Sequence, residues 1–352
     1  MGLPNINITF YTLAKALATH GGKGTLAVIL KDTTAGEYTL YSAADIPSSL
    51  TDANKKYLSR AFLGNVTGPD KVLCKVLTSS GTISTGLTWA ETQTFDYLVG
   101  PPDLSSADAT TVVTWIKAQR AAGRKSKAVL ADSAADYEGV INFSASGLKD
   151  ADGTITAAAY CSRIAGLLAG TPFTQSATYV ELPELTDAAR LSRSDADAAV
   201  EAGKFIIWHD GRKFKTGRAV NSLTTLTGKN AAYQKIKIIE VMDLIREDIT
   251  LTAEDQFIGK YPNSYDNRCL LLSAIKGYFE TLVTDGILGA DPEVAIDADA
   301  NRDWLKSNGV NVSGMTEEEL RQADTGSVVN LKATIRILDV IEDIELPILL
   351  NQ

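Results

Sequence analysis

The sequence predicts a mixed α/β fold with strands and helices in both halves, and three observations predict it. Strand-like apolar runs alternate with helix-periodic segments through the middle of the chain. Long helical patterns take over beyond residue 220. Both ends of the chain carry strand signals of their own. The length of 352 residues fits two domains or one elaborated domain, and 45% hydrophobic against 22% charged residues marks a chain that folds.

Taken in order, Ile6, Ile8 and Phe10 alternate with Asn5, Asn7 and Thr9, so the three apolar side chains share one face of an opening strand. The cluster Gly21, Gly22 and Gly24 then reads as a hinge before the compact strand Thr25 to Leu30. Lys15, Lys23 and Lys31 with no carboxylate make residues 1–31 a basic, separable arm. Strands are expected at 71–77, 95–100, 127–131 and 139–143. Helices are expected from Ser105 to Ala122, from Ala157 to Ala169 and from Ser192 to Ala202. This βαβ rhythm implies a partly parallel, helix-covered sheet. Asp210-Gly211 joins Lys204–Trp208 to Phe214–Val220 as a hairpin.

Beyond it, helices are expected over Lys229–Asp248 and Ser264–Thr284, with Thr252-Ala253-Glu254-Asp255 as a capping box between them. Short helices near 302–306 and 316–322 precede a terminal strand pair or one bent strand. Its apolar positions are odd-numbered through Ile337 and even-numbered from Leu338. A one-residue phase change of this kind requires a bulge, turn or change of environment near 337–341. Asp339, Glu342, Asp343 and Glu345 make this end acidic, and its apolar strand needs a pairing partner.

Composition excludes several function classes. Lys and Arg total 34 against 43 for Asp and Glu, so nucleic acid is a poor partner. No apolar run approaches the ~20 residues that cross a bilayer, and no leader pattern opens the chain, which predicts a soluble, non-exported protein without membrane insertion. Cys74, Cys161 and Cys269 are widely spaced and read as buried thiols. Only His20 and His209 are present, which lowers the prior for acid–base or metal chemistry. Gly21-Gly22-Lys23-Gly24-Thr25 lacks the phosphate-loop spacing and precedes a strand. Asp297, Asp299, Asn301 and Asp303 alternate like calcium ligands. Arg302 replaces the turn glycine and Asn308 the closing Glu, so a helix start is the better reading. Asp150 to Gly153 is a polar turn, and Glu181, Glu184 and Asp187 form no acid–base pair. No catalytic, cofactor or metal residue is assigned. The basic stretch 204–237, with Arg212, Lys213, Lys215, Arg218, Lys229 and Lys235, is either a solvated face or a contact for an acidic protein surface.

Four segments together resemble the tail sheath proteins of contractile bacteriophages and phage-tail-like bacteriocins. They are Gly2 to Ile8, Gly211 to Leu226 with Val220-Asn221-Ser222-Leu223-Thr224-Thr225, Phe257 to Arg268, and Asp339 to Ile344. The resemblance spans both ends and most of 204–352, and is weak over 32–200. It implies a structural subunit rather than an enzyme: six-subunit rings stack into a helical sheath around an inner tail tube, between baseplate and tail terminator proteins. The sheath contracts to drive the tube through a cell envelope. It also implies a virion tail or phage-tail-like particle assembled in the host bacterial cytoplasm, and no cofactor. Terminal strands of one subunit would complete the sheet of a neighbour. Ile6, Ile8 and Phe10 would link at one end, and Ile344, Leu346, Ile348 and Leu350 at the other. Gly21, Gly22 and Gly24 would be the hinge, and Lys235, Lys237, Arg268 and Lys276 would be candidates for touching the tube. The expected division is 1–22 arm and hinge, 23–203 outer domain, 204–338 inner tube-facing domain and 339–352 C-terminal strand. Two rivals stay open on the residues alone: a nucleotide- or ligand-binding α/β enzyme, and another self-assembling tube or surface-layer protein.

Overall fold

The computed structural model describes residues 24–349. It divides into two compact units. Among the described residues, one unit holds 24–243 with 339–349, and the other holds 244–338.

The larger unit is built on an eight-stranded sheet. Its strands are β1 (Thr25–Asp32), β2 (Gly36–Leu40), β3 (Lys71–Thr78), β4 (Tyr97–Val99), β5 (Lys127–Ala131), β6 (Val140–Ser144), β9 (Lys204–His209) and β10 (Phe214–Thr216). The order is β10-β9-β6-β5-β4-β1-β3-β2, with β2 and β10 antiparallel at the two margins and the interior parallel. A small hairpin, β7 (Leu148–Asp150) and β8 (Gly153–Ile155), stands apart; its turn is the polar Asp150–Gly153 sequence, with Gly153 at φ +127°.

Strand β1 explains the layering. Leu26, Val28 and Leu30 enter one core with helices α1 (Asp52–Ala61) and α4 (Ala157–Ala169). Ala27 and Ile29 enter a second core with α2 (Ile83–Ala90) and α3 (Ser106–Ala121). A strand covered on both faces needs a continuous apolar run, which Leu26 to Leu30 supplies. The helix starts are written locally: Ser105 accepts from the Asp108 amide, Thr156 from Ala159, and Ser192 caps α5 (Arg193–Glu201) by accepting from Asp195.

The division differs from the expected boundary at 203/204. Strand β9 pairs in parallel with β6, so the hairpin β9–β10 extends the same sheet instead of opening a new domain. The unit boundary falls forty residues later, inside helix α6 (Ile236–Thr252). The second hairpin strand is short, ending at Thr216. The helix expected from Lys229 begins at Ile236, after a 3-10 turn over Ala231–Gln234 capped by Asn230.

In the smaller unit, α6 does not stop at a capping box. Thr252 is helical, its side chain makes no cap bond, and the chain continues into a π turn over Ala253–Phe257. Ser264 caps α7 (Tyr265–Thr284) through the Asn267 amide, and the buried Tyr278 hydroxyl donates to Asp248 at 2.8 Å. Strand β11 (Glu293–Ile296) leads to α8 (Ala298–Ser307), with Asp297 as its N-cap, accepting from Asp299 and Ala300. The alternating acidic residues are thus a helix start. Thr316 and Glu319 form the capping box of α9 (Glu317–Gln322). Finally β12 (Leu331–Thr334) pairs antiparallel with β11, Glu293 opposite Thr334 and Ile296 opposite Leu331.

Candidate assembly surfaces

The expected terminal strand takes a different form. Only 331–334 is a strand; from Asp339 to Leu349 the chain is irregular and pairs with no sheet. The phase change near 337–341 coincides with the passage from one unit to the other, between Leu338 and Asp339. A change of environment satisfies the break in alternation.

The first half of this segment is fastened. Asp339 and Glu342 both accept from the Lys235 ammonium, the Glu342 bond measuring 3.0 Å. Asp343 takes Arg218 through both carboxylate oxygens at 2.7 and 2.8 Å. The Glu342 side chain, 7% exposed, also accepts from the Thr178 hydroxyl at 2.6 Å. Burial pushes the Asp339 carboxyl up, but the Lys235 hydrogen bond and charge outweigh it and leave it below its ordinary value. The hydrogen bond to Asp343 raises the Arg218 guanidinium. The basic stretch therefore does meet an acidic surface, and the surface belongs to this chain.

The second half is unfastened. Ile344 is 81% exposed, Leu346 75%, Ile348 74% and Leu349 89%, and Ile344–Leu349 make no hydrogen bond among the described residues. Soluble chains rarely hold a run of aliphatic side chains in water without a use for it. Leu350, Ile6, Ile8, Phe10, Gly21 and Gly22 lie outside the described residues. Gly24 is pinned: its amide donates to Ala169, its carbonyl accepts from Asp70, and a Cβ would meet Asp96 at 2.9 Å. It is a close-packing glycine, fixed at the start of the first sheet strand.

The candidates for touching the tube separate as well. Lys235 is committed to Asp339 and Glu342, Lys237 is buried, and Arg268 is buried with its guanidinium donating to the carbonyls of Arg321 and Ala323. The charges of Lys235 and Arg268 serve the inside of their own units. Lys276 is exposed on α7.

Sequence reasoning missed the second open feature, the ladder β11–β12. Its two strands have no third neighbour among the described residues, and Lys332, Ala333 and Thr334 face solvent. A two-stranded ladder is marginal alone. The strand signal around Leu331 was visible, but its partner Glu293 to Ile296 was too short to stand out. The β10 margin of the large sheet differs: residues 179–182 cover it, Thr216 donating to the Val180 carbonyl and Leu182 to that of Phe214.

Two of the segments that carried the resemblance, 211–226 and 257–268, are stitching points, while Gly2 to Ile8 lies outside the described residues. Asn221 donates to the Tyr233 carbonyl at 2.7 Å, and the amides of Thr224 and Thr225 donate to Asp136 at 2.7 and 2.8 Å. Asn263 donates to the carbonyls of Gly326 and Val328.

Comparison with known proteins agrees. The phage tail sheath protein central domain matches residues 66–222, and the phage tail sheath C-terminal domain matches 228–346. A tail sheath protein of Clostridium phage phiCD119 is 38% identical, over 98% of this chain and 98% of that protein. Among solved structures, a sheath tail protein from Desulfitobacterium hafniense superposes with a TM-score of 0.68 at 20% identity, covering 84% of this chain and 94% of that one. The helical sheath of the anti-feeding prophage in its contracted state superposes with a TM-score of 0.70 at 14% identity, covering 99% of both chains. These are structural proteins, not enzymes, and with near-complete coverage at 38% identity the chain belongs to the phage tail sheath protein family.

Proposed function

We propose that this chain is the repeating subunit of a contractile sheath, and that Ile344–Leu349 of one copy adds as a strand to the β11–β12 ladder of another. The carrying observation is the solvent-exposed aliphatic run Ile344, Leu346, Ile348 and Leu349 in the same chain as an unfinished two-stranded ladder. Strand addition satisfies both: main-chain hydrogen bonds supply affinity, and alternate side chains set register. Six residues span roughly 20 Å when extended, more than the four-residue strands they would join. Head-to-tail contacts of this kind propagate without closing, which is how a filament grows.

The opening residues Ile6, Ile8 and Phe10 would supply a second linking strand, with Gly21 and Gly22 as the hinge between it and the body. Residues 244–338 would face an inner tail tube through α7 and Lys276. The assembled sheath would form stacked hexameric rings between baseplate and terminator proteins in a virion tail or phage-tail-like particle, put together in the host cytoplasm. Contraction would exchange sparse contacts for extensive ones while the donated strands stay paired.

Electron microscopy of the concentrated protein tests this, beside a truncation lacking 344–352. The full chain should form thick-walled tubes and the truncation should remain monomeric and folded. Tubes formed equally well by the truncation would refute strand donation.

A further inference from the structure

The C-terminal segment changes character within a few residues. From Asp339 to Asp343, three carboxylates hold two cations and a hydroxyl; from Ile344 to Leu349 nothing is held. Resting on the strand-donation reading, we infer that Asp339, Glu342 and Asp343 form an ionic anchor that fixes where the donated segment leaves the body. Through Arg218, Lys235 and Thr178, this anchor transmits load from a neighbouring copy into the margin of the large sheet.

The partners of the anchor tie it to that margin. Thr178 gives its hydroxyl hydrogen to Glu342 and accepts from the Ala219 amide at 3.0 Å. The neighbouring Ala177 carbonyl accepts from Thr216 in β10 at 2.6 Å. Arg218 lies two residues past β10, and the Ile236 amide after Lys235 donates to the Ala219 carbonyl. Glu342 is therefore gripped where β10, its covering segment and the start of α6 meet. A carboxylate this enclosed stays put, because leaving would take the acceptor from the Thr178 hydroxyl and one of two carboxylates from Lys235. Asp343 adds a second grip: Arg218 donates to both of its carboxylate oxygens and also lies 3.8 Å from Glu342, so the two carboxylates share one guanidinium. An arm fixed at its root and free beyond can swing without losing its point of attachment.

The test is a double-mutant cycle on assembly. Arg218→Ala and Asp343→Ala, singly and together, are compared with the truncation lacking 344–352, reading the critical concentration for polymer by sedimentation and the monomer's melting temperature. Each single variant should raise the critical concentration roughly fivefold to tenfold with the monomer's melting essentially unchanged, and the double variant should be no worse than either. Arg218→Lys should recover part of the loss. Single variants that assemble like the unaltered chain while the truncation fails would overturn the anchor and leave strand donation standing. Losses that multiply in the double variant would also overturn it, since the two residues would then act separately. A truncation that assembles normally would remove strand donation itself, and with it the anchor's purpose.

Discussion

Gly166 lies so close to Ala61 that a Cβ on the glycine would sit 1.8 Å from the Ala61 carbonyl oxygen. The contact joins α4 to α1 on one face of the large sheet, where every α4 residue from Tyr160 to Ala169 is buried. Gly166→Ala gains up to about 1 kcal/mol in helix propensity, but the backbone clash costs about 3 kcal/mol or more, so destabilisation wins. Gly277, in α7, has nothing within 4 Å of its would-be Cβ. There the same substitution should stabilise by about 1 kcal/mol. Urea unfolding of the two variants should move in opposite directions.

Asp243 is the buried hub of a second network. It accepts from Arg120 at 2.9 and 2.8 Å and from Lys127 at 3.0 Å. Asp243→Ala leaves two cations enclosed without their counter-charge and should cost about 3–5 kcal/mol in denaturant unfolding. Asp187→Ala, which removes the exposed pair with Lys149, should cost less than about 1 kcal/mol.

Glu240 and Asp243 should give the protein two opposite pH responses. Burial raises the Glu240 carboxyl to about 7, against the opposing charge of Lys127 and the hydrogen bond from Tyr97, and with the help of Asp96 and Asp243. The folded chain then holds a proton that the unfolded chain releases near 4.5, so stability falls as pH rises from 4.5 to 7. Glu240→Gln should flatten that slope and gain on the order of 1–3 kcal/mol at pH 8. Burial pushes Asp243 up, but Lys127 and Arg120 outweigh it and leave it depressed. Its contribution is complete above the ordinary 3.8 and fades as pH falls through the depressed value. Melting temperatures from pH 3 to 9, with and without Glu240→Gln, measure both limbs.

Arg268 should matter to the smaller unit out of proportion to its charge. Its two donations to the carbonyls of Arg321 and Ala323 close the end of α9. Arg268→Met keeps the length of the stem and removes the donors. It should cost about 2–3 kcal/mol, with hydrogen exchange accelerating at 320–328 before it does in the large sheet.

The parallel core was legible because its strands, covered on both faces, are nearly uninterrupted apolar runs: Thr25–Leu30, Lys71–Leu77 and Lys127–Ala131. Helix α4 was legible from Ala157 to Ala169, since Thr156 and Gly170 bracket it. What escaped was short or half-polar. β2 alternates weakly, α1 mixes Asn54, Lys55 and Lys56 into its turns, and β11 has four residues. The domain boundary escaped for another reason: the Asp-Gly hairpin was visible, but pairing between β9 and β6 spans some sixty residues and leaves no local mark. At the candidate site, the exposed aliphatic run and the acidic stretch before it were both legible. Their attachment to Lys235 and Arg218 was not, because a charge pattern does not say whether its counterpart is solvent, another molecule or the same chain.

The order of synthesis adds a safeguard to the exposed tail. Ile344–Leu349 follows every described strand and helix of both units, so on the strand-donation reading the donated segment is translated after the elements it would join. The donation proposed for this segment is thereby postponed until the β11–β12 ladder that would receive it has been translated.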